Sequence, residues 1–160
     1  MSTNTENTII YVDMDDTLCD FRAAYIKHRQ DYPEITYPQS TPGFFQYLKP
    51  LPHAIESFQW LREQPHLDVF ILTAPSVKNP LCYIEKRLWV EDHLGFDVVN
   101  RLIISAHKGL NKGHFLIDDN VDGKGQEFFE GTVIKYGSSR FPDWLSVRRF
   151  FEGLDSRSLS

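Results

Sequence analysis

A short apolar run at residues 9–12 ends directly in a cluster of acidic residues, and this junction is the strongest constraint on the fold. The run is typical of a buried strand. Residues 13–17 read Asp-Met-Asp-Asp-Thr, so three carboxylates lie within four positions. Two like charges about 4 Å apart repel by roughly 1 kcal/mol even in water, and we expect a cation or a proton to relieve this repulsion. The alternative interpretation is an acidic turn or helix cap, because Asp is common at both.

Two further apolar runs end in side chains that can bind phosphate or metal. Residues 69–72 lead into Thr73, and residues 115–117 lead into Asp118 and Asp119. In open α/β sheets, ligands bind at the carboxyl ends of the strands. The chain thus presents, in order, a strand-end Asp, a strand-end Thr, a Lys and a strand-end Asp-Asp pair. This order indicates one shared site at one edge of a sheet.

The remaining pattern predicts an α/β fold with a doubly wound, mostly parallel sheet covered on both faces. Apolar runs predict strands at residues 8–12, 69–72, 101–104, 115–117 and 132–136. Helical spacing of apolar residues predicts helices at residues 22–31, 53–64, about 80–95 and 142–153. The third helix is expected to carry an apolar stripe of Leu81, Ile84 and Leu88.

Length and composition exclude several classes of protein. A chain of 160 residues is expected to form one domain over residues 1–160, and its net charge of −5 without a basic stripe argues against binding a nucleic acid polymer. No apolar stretch approaches the length of a membrane span, and no signal-peptide region is visible. Cys19 and Cys82 have no metal-ligand spacing and are too few for a disulfide framework, so both are expected to be reduced thiols. We therefore expect a cytoplasmic protein.

In this order, the motifs resemble those of the haloacid-dehalogenase-like (HAD) phosphohydrolases over nearly the full chain. Within that superfamily the chain resembles the 5'(3')-deoxyribonucleotidases. The closer resemblance rests on Asp13-Met14-Asp15, Asp20-Phe21, Pro50-Leu51-Pro52, Glu85-Lys86, Trp89-Val90-Glu91, Gly95, Lys108 and Ile117-Asp118-Asp119. It implies a three-layer αβα sandwich with the first strand central, between the second and the fourth. It also implies a core at about 8–21 and 50–155, with a small helical cap inserted after the first strand at about 22–49.

The resemblance further implies a phosphomonoesterase that forms an aspartyl-phosphate on Asp13. Such an intermediate divides one difficult step into two easier ones. Asp15 would protonate the leaving oxygen in the first step and activate water in the second. Thr73 would bind a phosphoryl oxygen together with the main chain near Ala74, and Lys108 would neutralise charge on the phosphate and on the nucleophile. An ordinary strand-ending Thr is the alternative for Thr73 taken alone.

Charge balance and the resemblance both imply Mg²⁺. Asp13, Asp15, Asp118 and Asp119 bring up to four negative charges to a site that must also accept phosphate, and a hard cation with oxygen ligands suits such a site. In the family the ligands are the first Asp, the backbone carbonyl of the third motif residue and one Asp of the final pair. These correspond to Asp13, Asp15 and Asp119, with Asp118 behind them, although the choice within the final pair stays open.

The expected substrate is a small phosphomonoester, specifically a (deoxy)nucleoside monophosphate. Phe21 and Phe44 are expected to contact its base, and the alternative is that both only pack the core. Lys86 is given a supporting role in substrate binding, although a lysine on a helix is more often a solvated surface residue. Two positions depart from the family pattern: Asp16 stands where the family has Gly, and Asn120 replaces a common Arg.

Other functions fit parts of the pattern. The same fold could hydrolyse a sugar phosphate or another small phosphoester, or act as a binding protein without turnover. A phospho-receiver signalling domain also uses an acidic cluster, Thr and Lys, but there the acidic pair follows the first strand and a separate Asp follows the third. Here the pair is at residues 118–119, and residues 105–106 after the third predicted strand are Ser and Ala. A homodimer is compatible with the sequence, which leaves the oligomeric state open.

Overall fold

A five-stranded parallel sheet forms the centre of the molecule in the computed structural model, which describes residues 6–158. The strand order is β3-β2-β1-β4-β5, and every neighbouring pair is parallel. The strands are β1 (Thr8–Val12), β2 (Leu67–Thr73), β3 (Leu102–Ile104), β4 (Phe115–Asp118) and β5 (Thr132–Lys135). The predicted α/β class and parallel sheet are confirmed, and β1 lies between β2 and β4 as the resemblance implied.

Within the described part of the chain, five helices connect or follow these strands. They are α1 (Phe21–Asp31), α2 (Ala54–Glu63), α3 (Leu81–Leu94), α4 (Phe96–Val99) and α5 (Trp144–Ser158). Three-residue 3₁₀ turns lie at Pro38–Ser40, Lys108–Leu110 and Gln126–Phe128. The sequence did not predict α4, which is a single turn directly after Gly95 at the end of α3. Within residues 6–158, no helix is long and apolar enough to span a bilayer.

The two faces of the sheet are covered unequally. Buried apolar residues of α2, α3 and α5 share one large cluster with the β1 residues Ile10 and Val12. The opposite face carries a smaller cluster made of Tyr11, Leu72, Leu116 and Phe129. The connection from β3 to β4 and the connection from β4 to β5 each contain only a three-residue 3₁₀ turn. The expected helical cover is therefore complete on one face only, because these two connections are too short to add helices to the other.

Helix α3 buries a different face from the one its apolar spacing predicted. Leu81 and Ile84 are 42% and 58% exposed, so the predicted stripe points largely to solvent. The buried residues of α3 are Cys82, Glu85, Lys86, Trp89, Val90 and Leu94. Two charged residues belong to this buried face, and that mixture hid the correct face from a reading of hydrophobic periodicity.

Residues 22–49, here called the cap segment, lie between β1 and α2 and contain most of α1 and the turn Pro38–Ser40. The side chain of Asp20 caps α1 by accepting a hydrogen bond from the Ala23 amide. Three aromatic rings pack together at the base of the segment, with centroid distances of 5.4 Å for Phe21–Phe44, 6.0 Å for Phe21–Phe45 and 5.3 Å for Phe44–Phe45. The insertion predicted after the first strand is thus present as one helix, one turn and an aromatic cluster.

The cap segment is attached to α3 and to the loop before it. Glu85 Oε1 accepts hydrogen bonds from the backbone amides of Phe45 at 3.1 Å and Gln46 at 3.5 Å. Trp89 Nε1 donates to the Leu48 carbonyl at 2.7 Å. Because Glu85 and Trp89 are both buried, these bonds are shielded from water and hold the segment firmly against α3.

Candidate active site

The strand order brings three predicted site residues to one edge of the sheet. Asp13 directly follows β1, Thr73 ends β2 and Asp118 ends β4, and these strands are neighbours with β1 in the middle. Parallel strands place their carboxyl ends at the same edge, which is where ligands bind in open α/β folds. The Asp13 amide also donates to the Ile117 carbonyl at 2.9 Å, so the β1–β4 pairing continues to the first catalytic candidate.

A tight turn after β1 sets the direction of the first acidic motif. The amides of Thr17, Leu18 and Cys19 all donate to the Met14 carbonyl, at 2.8–3.1 Å. Met14 and Leu18 are fully buried and fix this turn in the core. Asp13 is thereby held nearly buried while Asp15 keeps 30% of its side-chain surface exposed.

Three carboxylates converge at this edge of the sheet. One oxygen from each of Asp13, Asp118 and Asp119 lies within 4.8 Å of the other two. The Thr17 hydroxyl lies between Asp13 and Asp119, at 3.5 Å and 3.4 Å from their oxygens. Burial, reinforced by the charge on Asp13, raises the pKa of Asp118 to about 6 and that of Asp119 to about 8. Such crowding fits a site for a hard divalent cation, whose charge would remove the repulsion.

Asp15, predicted as a metal ligand, directs its carboxylate elsewhere. Its Oδ2 accepts a hydrogen bond from Lys86 Nζ at 3.1 Å, and the cluster of three carboxylates does not include it. The structure therefore does not bring the Asp15 carboxylate into that cluster. A contribution through its backbone carbonyl, as the resemblance implied, stays a prediction.

Lys108 bridges two of the clustered acids. Its Nζ donates to Asp13 Oδ1 at 2.8 Å and also to Asp118 Oδ2, and only 2% of its side chain is exposed. The turn Lys108–Leu110 carries it, and its amide donates to the Lys124 carbonyl at 2.7 Å. Burial alone lowers the pKa of this lysine, but the charges of Asp13 and Asp118 outweigh it and raise the pKa, so the ammonium stays charged. A fixed positive charge thus touches the candidate nucleophile.

The alternative interpretation of Lys86 as a solvated surface lysine is wrong. Its side chain is 1% exposed, because α3 points it inward to the strand ends. Besides Asp15, its Nζ contacts the Thr73 hydroxyl and donates to the Ala74 carbonyl at 2.9 Å. The charge of Asp15 overcomes the effect of burial, which lowers the pKa, and leaves the Lys86 pKa raised. Lys86 therefore fixes the side chains of Asp15 and Thr73 from a buried position, and it does not line the cleft.

A cleft of about 320 Å³ opens over these residues. Asp13, Asp15 and Lys108 line it together with Phe21 and Phe45. Phe44 was predicted to contact substrate but is not among the lining residues. It packs edge-on against both Phe21 and Phe45, so the backbone that Glu85 holds presents Phe45 to the cleft instead.

Comparisons with known proteins identify the family. Residues 30–142 match the family model described as 5' nucleotidase, deoxy (pyrimidine), cytosolic type C protein. The match covers more than half of the chain. The chain belongs to this family.

Two curated relatives and two solved structures agree with this result. A protein of Vibrio phage KVP40, described as a candidate 5'(3')-deoxyribonucleotidase, is 42% identical over 147 residues, covering 89% of this chain and 84% of the relative. The human cytosolic-type 5'(3')-deoxyribonucleotidase is 32% identical, covering 74% and 73%. A haloacid-dehalogenase-like hydrolase from Xanthomonas campestris has a TM-score of 0.66 at 12% identity and covers 95% and 93% of the two chains. A magnesium-bound candidate HAD hydrolase from Bacillus subtilis has a TM-score of 0.55 at 12% identity, covering 86% and 90%, and both structures show the shared fold.

The backbone explains one departure from the family pattern. Asp16 has φ of 59°, in the left-handed region where Gly is most favourable and Asp is among the better-tolerated alternatives. Its Oδ1 accepts a hydrogen bond from the Arg22 amide at 2.9 Å, which secures both the turn and the start of α1. Asp16 therefore satisfies the backbone requirement that a glycine would meet.

One wall of the cleft was missed by reasoning from sequence. It includes Lys124 and the buried Gln126, from the loop after β4, and Gln39 lines the cleft from the cap segment. Gln126 Oε1 accepts from the Lys124 amide at 2.7 Å, and its Nε2 lies 3.4 Å from Asp118 Oδ2. These residues carry no spacing or motif that marks them, because tertiary folding alone brings them to the site.

Proposed function

We propose that the protein is a magnesium-dependent phosphomonoesterase that hydrolyses (deoxy)nucleoside monophosphates through an aspartyl-phosphate on Asp13. The observation that carries this proposal is the contact of Lys108 Nζ with Asp13 Oδ1 at 2.8 Å, inside the cluster with Asp118 and Asp119. A structural ion pair needs no cleft and no additional acids beside it. The family of the chain and the names of its relatives support the same activity.

The proposed chemistry assigns one task to each group. An Asp13 carboxylate oxygen attacks phosphorus, the bond to the leaving oxygen breaks, and Asp15 gives that oxygen its proton. Asp15 then takes a proton from water as the water attacks the acyl phosphate, which releases phosphate and restores Asp13. Lys108 lowers the negative charge that the nucleophile and the phosphoryl oxygens must share. Lys86 positions Asp15 for both proton transfers.

The acidic cluster is the proposed magnesium site. Asp13, Asp118 and Asp119 supply carboxylate oxygens, and Mg²⁺ prefers such ligands while it keeps several waters. When bound, the ion would supply positive charge that binds a phosphoryl oxygen and offsets the repulsion among the acids. The raised pKa values of Asp118 and Asp119 support this assignment, because burial and the charge of Asp13 disfavour their ionised forms, which a bound cation would stabilise.

A nucleotide fits the cleft better than a bare phosphoester. Phe21 and Phe45 line it beside the catalytic candidates, and stacking of a base on an aromatic ring contributes roughly 1–3 kcal/mol. The volume of about 320 Å³ falls at the lower end of ligand pockets. Phe44 keeps only an indirect role, through its contacts with these two rings.

The cellular location and the assembly state are finer questions. A human relative is named as the cytosolic type, which supports the prediction of a cytoplasmic protein. The homodimer stays a prediction that light scattering on the purified protein can test.

The test is a phosphatase screen of nucleoside monophosphates and sugar phosphates, with magnesium and with excess chelator. We expect nucleotides to give the highest kcat/KM, chelator to abolish activity, and Asp13→Asn to be inactive because the amide lacks the nucleophilic anion. Asp15→Asn should lose roughly 10²- to 10⁴-fold in kcat. Asp31→Asn, which removes an exposed carboxylate from α1, is the matched control and should retain activity. Full activity of Asp13→Asn, or full activity of the wild type in excess chelator, would disprove the mechanism.

A further inference from the structure

Gln39 occupies a fixed position at the edge of the candidate active site. It is the central residue of the turn Pro38–Ser40 and lines the cleft. Asn79 is 2% exposed, and its Nδ2 donates to the Gln39 carbonyl at 2.9 Å. One residue away, Lys78 Nζ lies 4.1 Å from the centre of the Tyr37 ring. The loop after β2 therefore holds the backbone of this turn at Gln39 and also contacts the side chain of the residue before the turn.

The side chain of Gln39 is not fixed in the same way. Its Oε1 is buried and has no hydrogen-bond partner among residues 6–158. A buried acceptor without a donor carries a desolvation penalty, and a partner supplied by a ligand would remove it. The terminal torsion of Gln has a broad energy profile, so a rotation can turn the carboxamide toward the adjacent cleft at little cost. The arrangement is a fixed backbone with an unsatisfied, rotatable acceptor.

The chemistry of the missing partner follows from the other walls. Phe21 and Phe45 line the same cleft, and Asp13 and Lys108 mark its proposed phosphate end. A planar group that stacks on those rings would present its polar edge to the surroundings. A carboxamide offers an acceptor and a donor side by side, the pattern that complements the N–H and carbonyl or ring nitrogen of a nucleobase edge. A sugar phosphate has no such edge.

We propose that Gln39 is a specificity-determining residue, whose Oε1 accepts a hydrogen bond from an N–H on the Watson–Crick edge of the substrate base. The inference rests on the proposed nucleotidase function and adds the group that reads the base. It assigns the phosphate to the strand ends and the base edge to the cap segment. The cap segment thus distinguishes nucleotides from smaller phosphoesters.

The experiment compares Gln39→Leu with the wild type on thymidine monophosphate and on deoxyribose 5-phosphate. Loss of one hydrogen bond should lower kcat/KM for the nucleotide by roughly 3- to 10-fold, and kcat/KM for the sugar phosphate should not change. In the wild type, methylation of the thymine N3 should cause a similar loss, and Gln39→Leu should no longer distinguish the methylated nucleotide from the unmethylated one.

Gln46→Leu is the matched control, because Gln46 belongs to the same segment but does not line the cleft. Thermal unfolding of Gln39→Leu checks that the fold is retained. Equal losses on both substrates, or no loss on the nucleotide, would overturn the role of Gln39 while the nucleotidase function stands. A wild type that prefers deoxyribose 5-phosphate would overturn both proposals.

Discussion

At the scale of single residues, the two buried lysines divide the site between them. Lys108 contacts Asp13 and Asp118 and lines the cleft, whereas Lys86 contacts Asp15 and Thr73 from behind the cleft wall. Each lysine contacts one of the two carboxyl groups that we propose to be catalytic. The proposed nucleophile and the proposed proton donor therefore contact different lysines, and each contact can be tested by itself.

We expect Lys108→Ala to impair turnover more than Lys86→Ala, because only Lys108 would stabilise charge on the transferring phosphoryl group. Loss of one such group commonly lowers kcat by roughly 10²- to 10³-fold. Both lysines are buried, so Lys108→Met and Lys86→Met serve as volume-matched variants, with circular dichroism to confirm folding. A folded Lys86→Met that is the slower enzyme would reverse the assignment.

The stability of the protein should depend on pH through the acidic cluster. In the folded state, burial and the charge of Asp13 raise the pKa of Asp119 from its ordinary acidic range to about 8 and that of Asp118 to about 6. Between the unfolded and the folded pKa values of these groups, the folded state therefore binds more protons than the unfolded state. The free energy of unfolding falls as the pH rises through this range. In chelator, the melting temperature should decrease between pH 5 and pH 8. Added magnesium should restore it most strongly at pH 8.

Asp119→Asn provides the control for this effect. The amide does not ionise, so the melting temperature of the Asp119→Asn variant should depend less on pH than that of the wild type between pH 5 and pH 8. If the wild type and Asp119→Asn show parallel pH profiles in chelator, the acidic cluster is not the source of the pH dependence.

At the scale of elements, α3 is the part of the molecule that organises both the site and the cap segment. Glu85 accepts hydrogen bonds from the amides of Phe45 and Gln46, while Lys86, the next residue, points to Asp15. Two consecutive residues of one helix thus set the position of an aromatic ring in the cleft and of the proposed proton donor. A shift of α3 would disturb both together.

Removing the Glu85 carboxylate should loosen the cap segment without removing a catalytic group. Hydrogen bonds to a charged acceptor contribute about 1.5–3 kcal/mol, so Glu85→Ala should accelerate amide exchange at Phe45 and Gln46 by roughly 10- to 100-fold. KM should rise more than kcat falls. Glu91→Ala is the control, because Glu91 lies on the same helix, is partly exposed and forms an ion pair with Arg87 at 3.4 Å. Unchanged exchange at Phe45 would contradict this role for Glu85.

Helix α3 also shows why some elements were predicted correctly and others were not. The strands were found from short apolar runs, and the first two acidic residues from their position directly after one of them, since these signals are local. The buried face of α3 was missed because Glu85 and Lys86 are buried by contacts with distant segments, which periodicity does not register. Gln39 and Gln126 were missed for the same reason, because only the fold brings them to the cleft.

At the scale of the whole molecule, α5 supports the edge of the sheet that carries the acidic cluster, from the heavily covered face. Trp144, at the start of α5, is fully buried, and its Nε1 donates to the Thr17 carbonyl at 2.7 Å. The hydroxyl of Thr17 lies against Asp13 and Asp119. The hydrogen bond therefore joins α5 to the loop that carries the candidate nucleophile, between residues 127 positions apart in the sequence.

Trp144→Phe should keep most of the packing and lose this hydrogen bond. An unpaired buried carbonyl costs about 1–3 kcal/mol, so the free energy of unfolding measured in urea should fall by about that amount. Trp60→Phe is the control, because Trp60 is only partly buried and contacts Arg148 at 5.1 Å through its ring. A loss for Trp144→Phe no greater than that for Trp60→Phe would show that the bond contributes little.

Three hydrogen-bonding side chains that attach the cap segment share one property, since Asn79, Glu85 and Trp89 all bind its main chain, at Gln39, at residues 45–46 and at Leu48. Backbone amides and carbonyls are the same whichever residues occupy those positions. Substitutions in the segment can therefore change the surface offered to a ligand while the attachment to α3 persists. Substrate preference can diverge in this protein by point mutation of the cap segment, without rebuilding the joint that holds it.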